Sequence, residues 1–299
     1  SFNSSGTRCE AWHLTALSND FATDAGHPIV VMAHGLGGTK DSGLLPFAEA
    51  FAQAGLDAFV FDYRCFGSSD GLPRQHVSLD GQVDDYRAAM TAAAVLPGVD
   101  PSRIVLWGVS LAGGHVLRAA ADRQDVAAVI SVVPMVDGIA AAQHALAVHK
   151  PTEMLKATVL GIRGRIAAKA GRDPVMMPLV GKPGEPGALT VEGALEDYFA
   201  IAGPTWRNEV GADVSLELGT RAPAKAAANI ACPVLMQIAD FDRSAPPQAA
   251  AKAAFSAKAE VRHYPGDHFD LFPGKPWHES AVNHEVAFLT RALASQPVG

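Results

Sequence analysis

Five short apolar runs, rich in β-branched residues, recur along the chain: PIVVMAHG (28–35), DAFVFDY (57–63), RIVLWGV (103–109), AAVISVVP (127–134) and CPVLMQIAD (232–240). Closure by Gly, Pro or Asp predicts buried strands. Between them, LLPFAEAFAQAG (44–55), LDGQVDDYRAAMTAAAVL (79–96) and LAGGHVLRAAAD (111–122) predict helices. Gly55 is placed to end the first of these as its C′ residue. Strand and helix in alternation predict an α/β fold, with a mostly parallel sheet covered on both faces.

The alternation stops after Val133. From 137 to 231 the pattern is helical, as in IAAAQHALAVHK and LTVEGALEDYFAIAG, and is broken by GRDPVMMPLVGKPGEPG. No strand run stands out there. The expectation is a core domain formed by 1–136 and 232–299, with 137–231 inserted as a helical cap. After the insertion AEVRHY reads as a strand, and HESAVNHEVAFLTRALAS as a closing helix with one apolar face.

Composition narrows the function classes. The chain has 299 residues, 48% hydrophobic and 18% charged, which suits a globular protein large enough for such a core and insertion. A net charge of −7 without a basic run argues against nucleic acid, whose phosphates need clustered Lys and Arg. No apolar run approaches the ~20 residues of a membrane span. SFNSSGTRCE has neither the basic nor the apolar region of a secretory leader, so a cytoplasmic location is expected. Cys9, Cys65 and Cys232 are scattered and odd in number, which predicts reduced thiols rather than a disulfide framework or metal ligands.

The stretch LWGVSLAGGH (106–115) carries the chemistry. Ser110 follows a strand and opens a helix, with Gly108, Ala112, Gly113 and Gly114 around it. A sharp strand-to-helix turn holds a nucleophile in strained geometry with its hydroxyl exposed, and small neighbours let strand and helix cross closely. A serine N-cap would account for Ser110 but not for the surrounding glycines.

A serine needs a base, and the base an orienting acid. His268, in YPGDHFDLF, follows the loop IADFDRSAPP, where the acid belongs in a Ser–acid–His order. Asp242 is the preferred acid in that loop; Asp240 and Asp137 remain alternatives. His76, His144 and His149 precede the acid, His263 ends a strand, and His278 and His284 fall on the final helix, where a surface position is expected. Asp267 and Asp270 lie too near His268 in sequence to orient it and read as turn chemistry. The glycine-rich AHGLGGTKDSG (33–43) follows the first strong strand. Backbone N–H groups of Leu36 and Leu111 are the expected oxyanion donors, the latter at a helix amino terminus. The same loop fails as a dinucleotide fingerprint, having Lys40 where glycine is required, and as a phosphate loop.

HGLGG, DYRCFGSSDG, GVSLAGG, ADFDRSAP and GDHFD, in this order, resemble the α/β-hydrolase superfamily. TRCEAWHL and FDYRCFGSSDGLPRQ are more narrowly similar to bacterial and fungal polyketide thioesterase- and transferase-like hydrolases. The resemblance implies that Asp62 and Arg64 hold the loop after their strand, and that the cap covers Ser110. Phe199 and Trp206 are then the expected substrate-binding cap residues, although a Trp in the cap core is the plainer reading of Trp206. The expected function is cofactor-free, metal-free cleavage of an ester, lactone or thioester of a small-molecule acyl substrate. Acyl transfer, carbon–carbon bond hydrolysis and a ligand receptor on this scaffold are the alternatives. A homodimer is left open.

Overall fold

The computed structural model describes residues 1–148, 151–219 and 221–294. His149 and Ser295, the last residue of the expected closing helix, lie outside them. A hairpin of β1 (Phe2–Ser4) and β2 (Thr7–Cys9) leads into β3 (Ala11–Leu14), then β4 (His27–Ala33), α1 (Leu45–Ala54), β5 (Asp57–Phe61) and α2 (Leu79–Ala93). There follow β6 (Val99–Val109), α3 (Leu111–Ala120) and β7 (Ala128–Val132). The segment after β7 holds α4 (Gly138–Val148), α5 (Pro151–Lys169), β8 (Met176–Met177), α6 (Ala194–Ile201), β9 (Val210–Gly211), α7 (Val214–Leu218) and a 3-10 turn at Pro223–Asn229. The chain closes with β10 (Val234–Ala239), α8 (Pro247–Ala257), β11 (Glu260–Tyr264) and α9 (His278–Ala294).

Seven strands form the main sheet in the order β11-β10-β7-β6-β4-β5-β3. All pairs are parallel except β3–β5 at the edge. Strands β5, β7 and β10 are buried throughout, and β4 and β6 are buried from Pro28 to Ala33 and from Ile104 to Val109, as expected for strands covered on both faces. Right-handed crossovers explain the layers. The step from β4 to β5 runs in one direction along the sheet, and α1 packs with α9. The steps β5–α2–β6 and β6–α3–β7 run the other way, and α2 packs with α3. The direction of winding therefore reverses between β4 and β6. At such a switch point the loops leaving the strands diverge and open a crevice, and the loops here are those carrying Leu36 and Ser110.

Two features depart from the sequence reading. The amino-terminal strands were not expected, because β3 is short and every residue in it is only half-buried. The segment between β7 and β10 contains a two-residue antiparallel pair, Met176–Gly211 and Met177–Val210, where no strand was expected. A pair that short leaves no periodicity in the sequence.

Candidate active site

Ser110 sits between the end of β6 and the start of α3 with φ 59° and ψ −119°, a conformation that L-residues rarely adopt. Its N–H donates to the Val132 carbonyl (2.8 Å) and its carbonyl accepts from Met135 N–H (3.0 Å), so the end of β7 and the loop after it pin the turn from both sides. The side chain makes no capping bond to α3, which excludes the N-cap reading. A Cβ on Gly108 would strike the Ala112 carbonyl, and one on Gly113 would lie 2.8 Å from Pro134 Cβ. The small residues are thus required by the crossing of strand, helix and following loop.

His268 Nε2 lies 3.0 Å from Ser110 Oγ, and His268 Nδ1 lies 2.7 Å from Asp242 Oδ2. The other Asp242 oxygen accepts from the N–H groups of Ser244 (2.8 Å) and Ala245 (2.6 Å), which fixes the carboxylate plane. Both His268 and Asp242 are buried. Burial alone would lower the histidine pKa, but the Asp242 charge and hydrogen bond outweigh it and hold it above the usual value.

The other acids are occupied elsewhere. Asp240 pairs with His263 Nδ1 (2.7 Å), and Asp137 accepts from Ile139 and Ala140 N–H at the start of α4. Asp267 has more than a turn role. It accepts from Arg243 N–H (2.9 Å), Arg243 Nε (2.6 Å) and His268 N–H (2.8 Å), so it ties the loop of Asp242 to the loop of His268. His278 and His284, expected on the surface, are half-buried; they bond to the Leu271 carbonyl (3.1 Å) and Tyr264 Oη (2.9 Å).

Leu36 and Leu111 line the same cavity as Ser110 and His268, and neither N–H has a hydrogen-bond partner among the described residues. The Leu36 loop is braced by Asp62, which accepts from Lys40 N–H (2.7 Å) and pairs with the buried Lys40 ammonium (2.6 Å). Lys40, which makes the loop fail as a dinucleotide fingerprint, has this structural task instead. Arg64 pairs with buried Asp85 (2.6 Å) and Ser4 Oγ (2.8 Å), anchoring the amino-terminal hairpin.

The cavity above Ser110 measures about 550 Å3. Met154 and Leu160 of α5, Tyr198 of α6 and Leu216 of α7 line it together with the serine. Phe199 and Trp206 do not line it. Phe199 is 54% exposed, and Trp206 stacks behind Tyr198 at 5.2 Å. For Phe199 the reason is one step of helix geometry, since at 100° per residue Tyr198 turns to the cavity and its neighbour turns away; Trp206 lies beyond the end of α6 and packs on the Tyr198 ring instead. His34 also borders the cavity, packed near Tyr198 and Phe272. Burial pulls its pKa down to about 4, so it is a neutral wall at ordinary pH. Among the described residues no cluster of His, Cys, Asp or Glu is arranged to hold a metal ion, and no helix is long and apolar enough to cross a membrane. Cys9 and Cys65 are buried free thiols, and burial raises the pKa of both.

A strained serine at a strand–helix turn, on a parallel sheet at its winding reversal, defines a class that comparison with known proteins identifies. The α/β-hydrolase-fold family matches residues 28–275, and the chain belongs to that family. It is 35% identical over 295 residues to the quorum-quenching protein AidA of Acinetobacter baumannii, covering 98% of this chain and 94% of that one. It is 29% identical over 271 residues to polyketide transferase af380 of Aspergillus fumigatus, covering 89% and 88%. The α/β hydrolase GrgF from Penicillium sp. sh18 superposes with a TM-score of 0.75 at 23% identity, covering 96% of this chain and 99% of that one, a likeness of fold alone.

Proposed function

We propose that the protein is a serine hydrolase that cleaves an ester, lactone or thioester through an acyl-enzyme on Ser110. The observation that carries this reading is the unbroken chain from Ser110 Oγ to His268 (3.0 Å) to Asp242 (2.7 Å) at the base of a largely apolar cavity. His268 Nε2 takes the hydroxyl proton as Oγ attacks the acyl carbon, and Asp242 steadies the imidazolium through Nδ1–H. The free N–H groups of Leu36 and Leu111 receive the oxyanion; the latter adds the positive end of α3. Collapse expels the alcohol or thiol, which takes its proton from His268. Water then repeats the sequence and releases the acid.

Residues 137–231 act as the cap over this site, a reading supported by the residues that α5, α6 and α7 contribute to the lining of the cavity that holds Ser110. A serine-directed fluorophosphonate tests the nucleophile. Peptide mass spectrometry is expected to find the adduct on Ser110 and none in Ser110→Ala, while labelling that survives this substitution defeats the assignment. Panels of esters, lactones and thioesters then give the bond class.

Acyl transfer is the second reading, favoured by the polyketide transferase relative. It requires an alcohol or amine to outcompete water at the acyl-enzyme. Product analysis with added acceptors separates the two, since transfer yields the new ester or amide and hydrolysis only the acid.

A further inference from the structure

Helix α5 carries apolar side chains on two opposite sides. Met154, Lys156, Ala157, Thr158 and Leu160 border the cavity, and Gly161 and Gly164 are buried. On the other side Leu155, Val159, Ile162 and Ile166 are 65%, 48%, 46% and 59% exposed. Their spacing of four, three and four residues sets them in one stripe along about three turns. At 100° per residue that stripe points directly away from the buried glycines. Lys156 and Arg163 run along one of its edges, Arg165 and Lys169 along the other. The helix thus has four cations against one carboxylate, Glu153, in a chain whose net charge is −7. Arg165 pairs with Glu217 at 3.7 Å, whereas Arg163 and Lys169 have no carboxylate partner among the described residues. Exposed Asp173 follows the helix.

The geometry points to α5 as a peripheral docking helix for an anionic phospholipid surface, with the stripe entering the interfacial layer and the cations meeting lipid phosphates. A continuous apolar stripe is unusual on an unpartnered protein surface. An apolar face edged by Lys and Arg on both sides has the pattern of a helix that lies in a membrane interface. A second copy packed symmetrically on the same stripe would set these cations against themselves. An acidic lipid layer neutralises them while taking up the apolar side chains.

The test is co-sedimentation of the full chain with phosphatidylglycerol–phosphatidylcholine vesicles and with pure phosphatidylcholine vesicles. Wild type is expected to sediment with the anionic vesicles only, and less as salt rises. Arg163→Gln with Lys169→Gln should weaken the partition roughly 25-fold, taking about fivefold per cation. Ile162→Glu with Ile166→Glu should abolish it. Both variants change exposed residues that do not border the cavity, so turnover of a small soluble ester should stay at the wild-type level and report intact folding. Three results overturn the proposal: no sedimentation of wild type at low salt, equal sedimentation of the glutamate variant, or a solution dimer that this variant splits.

Discussion

The hydroxyl of Tyr198 donates a 2.8 Å hydrogen bond to the carbonyl oxygen of Leu36, joining residues 162 apart in sequence. The same peptide loop presents the Leu36 N–H to the cavity, so α6 holds one of the two candidate oxyanion donors in place. Tyr198→Phe keeps the ring and its stack on Trp206 but strands a buried carbonyl, a change that costs about 1–3 kcal/mol. Misplacing the donor should lower kcat about tenfold and leave KM nearly unchanged. Steady-state kinetics beside a thermal melt decide it. A lowered melting temperature with unchanged kcat would make the bond structural only.

The pH profile follows from His268. Its pKa lies above histidine's usual value, and the base works only when neutral. Activity should therefore rise with pH along a limb displaced to the alkaline side of an ordinary histidine. Asp242→Asn removes the charge that opposes burial. The limb should then move to lower pH, and turnover should fall by about four decades through loss of the correct tautomer. Asp240→Asn and Asp137→Asn, which touch His263 and the start of α4, should leave both limb and turnover close to wild type. A crippling effect of Asp137→Asn would move the acid to the end of β7, and one of Asp240→Asn would move it within the loop after β10.

Arg243 and Asp267 make a separate prediction, because they join the two loops that carry acid and base. The Asp267 charge also raises the His268 pKa. Asp267→Asn should lower both the pH limb and kcat, and Arg243→Gln should lower kcat. The double variant should be no worse than the poorer single one, since each change breaks the same tie. Fully additive losses in that cycle would show that the two residues act independently.

Ionisation of Glu285 works against the fold. Its carboxyl is buried under the sheet, and neither oxygen has a hydrogen-bond partner among the described residues. Burial pushes its pKa up from 4.5 to about 8, with the Trp107 indole opposing weakly. The unfolded chain releases the proton near 4.5 and the folded one near 8, so stability is lost progressively between these values as pH rises. Glu285→Gln should therefore gain over wild type by an amount that grows from pH 5 to pH 8 and then levels, reaching a few kcal/mol. Paired thermal melts across that range check it, and a pH-independent difference would refute it.

How much of this was legible in the sequence depended on how local each signal was. The five buried strands were readable because burial leaves long apolar runs, as in IVLWGV, and so were the helices after the first three of them; α8, after β10, was not read. Ser110, Asp242 and His268 were readable because a strand end, a loop and chain order constrain them with no knowledge of partners. Asp267 and Lys40 were discounted because their partners, Arg243 and Asp62, lie 24 and 22 residues away, and nothing in either stretch announces the pairing. The segment between β7 and β10 was the least legible part. Its helix α5 has apolar residues on both sides, so no single face declared itself, and the inward turn of Tyr198 over Phe199 depends on where α6 starts.

That last point redirects the expectation for acyl-chain preference. Met154, Leu160, Tyr198 and Leu216 line the cavity that holds Ser110, and Phe199 does not. Leu160 packs from α5 towards the site and is half-buried, so truncating it enlarges the cavity without removing a core residue. Leu160→Ala should shift preference towards longer or branched acyl chains by about 1–3 kcal/mol per methylene-scale change, read as kcat/KM across an ester series. Reaction with the smallest activated ester should persist, because the groups around Ser110 Oγ are untouched. Phe199→Ala removes a ring that is exposed and meets Trp206 edge-on at 5.2 Å, so its rank order should match wild type. An altered rank order in Phe199→Ala with none in Leu160→Ala would place the acyl chain on the outer side of α6.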